Sequence, residues 1–152
     1  ASVCVHLVQR GYAVRLVTDT GLLGPGFDDT SFPGDPTDAA GLLLDTLAVL
    51  EHSSAAGLAS AFATLRGADP GGEGLLIAFT GLLDEGQAAL MSRIRQRARR
   101  GIVLTTHPGQ ADEPSTSALH EAGWTVLAGG PGRPLSTLWQ EADRLSVQGP
   151  AW

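Results

Sequence analysis

The chain has 152 residues, 43% of them hydrophobic and 17% charged, and a formal net charge of −6. That is one domain's worth of sequence with enough apolar content for a single core, and 1–152 reads as one domain. An acidic chain gains little from counterion release, which disfavours general nucleic-acid binding, and no apolar run approaches the ~20 residues of a membrane span.

Ala1 to Arg10 reads as the inside of a helix, with Gly11 as its stop signal. The helix–strand rhythm that follows predicts a first strand upstream of residue 1. Cys4, the one cysteine, sits among Val3, Val5 and Leu7 and reads as a small buried hydrophobe; alone, it makes neither an internal disulfide nor a thiolate metal site. Tyr12 to Thr18 is rich in β-branched residues and predicts a strand. Residues 21–36 are dense in Gly, Pro and Asp and predict a loop, with room for an edge hairpin over 27–32.

A helix start follows: Asp35 suits the cap, Pro36 the first position and Asp38 the positive end of the helix dipole. Ala40, Leu43, Leu44, Leu47 and Leu50 repeat at helical spacing toward Glu51–His52. Ser53 or Ser54 suits the cap of a second helix, with Leu58, Phe62 and Leu65 on one face and Gly67 at its end. Gly74 to Thr80 (GLLIAFT) is continuously apolar, as a central parallel strand covered on both faces would be.

Asp84 and Glu85 open the next helix, whose inward positions are Leu90, Met91, Ile94 and Ala98 and whose last turns carry Arg93, Arg95, Arg97, Arg99 and Arg100. Strands are predicted over 102–106 and 124–128, with a short helix over 114–122 closed by Gly123. The last helix carries Leu135, Leu138, Trp139, Ala142 and Leu145 on one stripe. Four strands and six helices in this order predict a three-layer α/β sandwich with a mostly parallel, right-handedly wound sheet, Rossmann-like in its layering.

The run ASVCVHLVQRGYAVRLVTDTG, the pair of helices around GLLLDTLAVLEHSSAAGLASAFATL and the segment GLLIAFTGLLDE resemble the C-terminal half of bacterial proteins in domain-of-unknown-function family 58, which has a von Willebrand factor A-like fold. The resemblance covers most of 1–107. It implies a domain on the cytoplasmic side of a membrane-anchored protein, the anchor lying upstream of this chain. It also implies a protein partner, a MoxR-type AAA ATPase, and an interaction or assembly role. In that fold the strand expected before residue 1 lies between the strands at 12–18 and 74–80. Without it those two either pair directly or recruit another chain, which makes a homo-oligomer through strand edges an expectation.

Many A-like domains bind Mg²⁺ through hard oxygen ligands at the C-terminal edge of the sheet. The family's Asp-x-Ser-x-Ser run would precede Ala1, Ser53 or Ser54 would stand for its Thr, and Thr80-Gly81 stands where a carboxylate is expected. Asp84, three residues on, fits a helix start better than a metal ligand. On this pattern no cofactor and no metal are expected, and no catalytic residue.

Other chemistry finds little support. Asp19-Thr20-Gly21 has the aspartic-protease triplet, but one copy needs a symmetric partner and its helical, Leu/Ala-rich flanks fit a strand-end turn. Neither Gly-rich run, 24–26 or 129–133, makes a phosphate loop, and GxSxG is absent. His6, His52, His107 and His120 form no HxxxH or HxH pair, though His107 follows a strand toward the sheet edge. All ten basic residues are Arg, and the cluster at 93–100 reads first as charges that favour a helix C-terminus. The sequence therefore predicts a non-enzymatic interaction module. The rival is a ligand- or metal-binding domain, hydrolases included, using Asp19, Ser53, Ser54, Thr80, Asp84 and His107 at the strand edge.

Overall fold

The computed structural model describes residues 2–10, 12, 14–18, 36–49, 58–67, 74–106, 114–130 and 132–147. They fall in two compact units, Ala1–Gly67 and Ala68–Trp152.

The described residues of the first unit form the helices α1 (Ser2–Gln9), α2 (Pro36–Ala48) and α3 (Ala59–Gly67). Val8 of α1 and Ala40 of α2 are buried together, with Val5 and Val14 packed against them. Leu43 of α2 is fully buried. Among the described residues of 12–18 the expected strand does not form, and only Val17 makes an isolated bridge. Val14 is accommodated in the cluster of Val8 and Ala40 without a ladder, and β-propensity yields to whatever packing covers the side chain. The expected hairpin at 27–32 and the caps at Asp35, Ser53 and Ser54 lie outside the described residues.

The second unit is the α/β part. Its elements are β1 (Leu75–Thr80), α4 (Glu85–Arg95), β2 (Arg100–Thr105), α5 (Pro114–Glu121), β3 (Thr125–Ala128) and α6 (Leu135–Val147). The sheet is parallel, in the order β1-β2-β3. Register sets Ile77 beside Ile102, Phe79 beside Leu104 and Thr80 beside Thr105, and on the other side of β2 sets Leu104 beside Leu127.

Because side chains alternate between faces, the sheet has two distinct sides. Ile77, Ile102, Leu104 and Leu127 point to one side and pack with Leu135, Leu138, Trp139 and Ala142 of α6. On the other side, Trp124 Nε1 donates to Met91 O of α4 at 3.0 Å. Two successive right-handed crossovers put α4 and α5 together on that side, and the unit is a small three-layer α/β sandwich.

Local chemistry explains the boundaries. Asp84 caps α4 with a reciprocal pair: its Oδ1 accepts from Gln87 N at 2.8 Å, and its own N–H donates to Gln87 Oε1 at 3.0 Å. At the other end the helix stops at Arg95, earlier than the sequence predicts. Arg95 donates through Nε to Gly123 O at 2.8 Å, and through its terminal nitrogens to Ala98 O and Arg99 O. The turn after the helix is thus held by a side chain, and Arg99 N donates to Gly74 O at 3.1 Å, so the ladder begins before residue 102. α5 closes with Gly123 at φ 86°, where Gly123 N donates to His120 O and Trp124 N to Leu119 O, at 2.9 and 3.0 Å. That is a Schellman closure, and only glycine adopts its left-handed position without strain.

β1 departs from expectation in its place. The sequence predicts a central strand covered on both faces; the structure makes it an end strand of the three. Phe79 and Leu75, on the α6 side of the sheet, are 58% and 44% exposed, because α6 lies over β2 and β3.

Candidate functional site

Parallel α/β sheets present ligands at the C-terminal ends of their strands. Here those ends are Thr80-Gly81 of β1, Thr105-Thr106 of β2 and Ala128-Gly129 of β3. Backbone bonds hold them in line: Thr106 N donates to Thr80 O at 3.1 Å, and Gly129 N to Thr105 O at 2.7 Å.

Of the strand-edge residues picked out by sequence, Thr80 and Asp84 are described; Asp19, Ser53, Ser54 and His107 lie outside the described residues. Thr80 sits at the edge as expected. Its Oγ1 is buried and has no hydrogen-bond partner. Asp84 is exposed, and its carboxylate is engaged in capping α4. The two therefore do different work: one is a buried hydroxyl without a partner, the other a helix cap.

The structure adds hydroxyls that sequence reading passed over. Thr105 is buried beside Thr80 on the same side of the sheet. Ser115 and Thr116 are buried in the first turn of α5, and Ser115 Oγ, like Thr80 Oγ1, is without a partner. A Thr ending an apolar strand and a Ser-Thr pair opening a helix were the available signals. Among the described residues no three His, Cys, Asp or Glu side chains are grouped to hold a metal ion.

The other surface with chemical character is β1 itself. Leu75, Phe79 and Leu82 are exposed large apolar residues along and just beyond one strand. Basic residues flank its start, where Arg99 bonds to Gly74 and Arg100 pairs with Leu75. Acidic residues follow its end, at Asp84 and Glu85. Among the described residues one ion pair forms, Arg133 with Glu141 at 2.8 Å, and it lies elsewhere, at the entry to α6. The Arg cluster is divided in role: Arg95 is a structural clamp, while Arg93, Arg99 and Arg100 are exposed.

Comparison with protein-family models, with curated proteins and with solved structures finds no match for this chain. No helix among the described residues is long and apolar enough to cross a membrane.

Proposed function

We propose that this chain is a non-enzymatic interaction module of A-like type that binds a protein partner through the open side of β1. The observation that carries the reading is the exposure of Phe79 on an end strand. Proteins protect end strands with charges, prolines or bulges, since a bare row of N–H and C=O groups pairs with any extended chain. Gly74 to Thr80 contains no charge and no proline. A strand of this composition is suited to receive a partner strand, whose main chain supplies affinity and whose side chains pack beside Leu75 and Phe79.

The resemblance to family 58 proteins names a first partner to try, a MoxR-type AAA ATPase, and a cytoplasmic setting. Purified candidate and chain are mixed in a binding titration, with Phe79→Lys as the matched variant. The reading expects a loss of affinity of at least about tenfold for the variant, as for an aromatic anchor at an interface centre. Equal binding by both proteins would remove β1 from the reading.

A further inference from the structure

Resting on that reading of the open edge, we infer that in the absence of another partner strand its occupant is a second copy of this chain, joined antiparallel across β1 about a two-fold axis through Ile77. A two-fold contact requires one surface to complement itself, and this strand does. With Ile77 opposite its own copy, Leu75 stands opposite the partner's Phe79, and Phe79 opposite the partner's Leu75. All four lie on the α6 side of one continuous six-stranded sheet. Directly opposed residues of an antiparallel pair have Cβ atoms about 4.5–5.5 Å apart, close enough for these side chains to cover one another. A slip of one residue sets Leu75 against Thr80 and turns one sheet over, so the apolar match holds in this register and is lost in the next.

The charges at the two ends agree with an antiparallel joint. Arg99 and Arg100 flank the start of β1; Asp84 and Glu85 follow its end; all four are exposed. Antiparallel pairing brings the basic end of each strand toward the acidic end of the other, twice by symmetry. A parallel joint would set like charges together at both ends. Gly74 and Gly81 flank the strand with open space where a Cβ would stand, leaving room for a second backbone to approach.

The test is sedimentation velocity on the full chain, with variants. The wild type is expected to run as a dimer at micromolar concentration. Phe79→Lys should weaken self-association by at least about tenfold. Arg100→Glu and Glu85→Arg should each weaken it, since each removes opposite charge from one end of the joint. In a Cys4→Ser background, Leu75→Cys/Phe79→Cys should oxidise to a covalent dimer, which Leu75→Cys alone should form far more slowly. A wild type that stays monomeric up to about 100 μM overturns the inference. So does a dimer that ignores Phe79→Lys and gives no 75–79 cross-link. Either result leaves the edge reading to stand or fall on its own titration with a different partner, so the two failures are told apart.

Discussion

Trp124 Nε1 donates to Met91 O at 3.0 Å, tying the residue that enters β3 to the middle of α4. Both residues are buried, at 3% and 2% exposure. The bond matters because an indole N–H buried without a partner costs about 1–3 kcal/mol. Trp124→Phe keeps much of the apolar surface and loses the donor, and should cost about 1 kcal/mol. Trp124→Ala removes the packing as well and should cost about 3–5 kcal/mol. Urea denaturation separates the two; a Phe variant as damaged as the Ala variant would mean that the hydrogen bond outweighs the ring.

Gly101 lies where that same ring meets Arg95. A Cβ built there would stand 2.7 Å from Trp124 Cε3 and 2.5 Å from Arg95 Cδ. Gly101→Ala should therefore cost about 1–3 kcal/mol by overpacking. The Arg95 contact is the flexible one, since its side chain can swing away only by releasing the carbonyls of Gly123, Ala98 and Arg99. Gly101→Ala and Arg95→Ala should consequently be non-additive, the pair costing less than the sum of the singles. Strict additivity in a double-mutant cycle would show that Trp124 alone sets the limit.

How far the sequence discloses this fold depends on the residue. Asp84 is legible as a helix start because capping is a matter of four consecutive residues, and the structure supplies the full capping box. The strands at 75–80, 100–105 and 125–128 and the α6 stripe are legible because their apolar patterns have the right periods. Tyr12 to Thr18 misleads, since β-branched residues are equally content against helices, and Val14 finds such a place. β1 misleads in another way: an apolar run states that a strand needs cover, and says nothing of whether this chain provides it. Arg95 reads locally as a helix-end charge because its acceptor, Gly123 O, lies 28 residues away. At the strand edge Thr80 was legible from position alone; its orphan state, and Ser115's, depend on packing that no local pattern encodes.

Asp84 provides a test that separates capping from metal ligation. Its carboxylate accepts Gln87 N at 2.8 Å. Asp84→Ala should cost about 1 kcal/mol, and Asp84→Ser or Asp84→Asn much less, since each retains a capping oxygen. Thermal midpoints should change by the same amount with and without millimolar Mg²⁺. A wild type stabilised by Mg²⁺ and an alanine variant that is not would assign the carboxylate to the ion, because a ligand that binds only the folded state raises the midpoint.

Thr80 and Ser115 carry the remaining question at the sheet's edge. Each hydroxyl oxygen is buried and unpartnered, and such a group forfeits its water without recompense, at a cost of about 1–3 kcal/mol. If the hydroxyls are only structural, removing them relieves that cost. Thr80→Val keeps the branched shape at the strand end and should stabilise the chain by about 1 kcal/mol. Ser115→Ala, in the first turn of α5, should stabilise it by a smaller amount for the same reason. Chemical denaturation reads both. A destabilised Thr80→Val would show that Oγ1 has a partner in solution, a water or a small ligand at the strand ends. The rival reading of the domain as a ligand binder would then gain the contact it lacks.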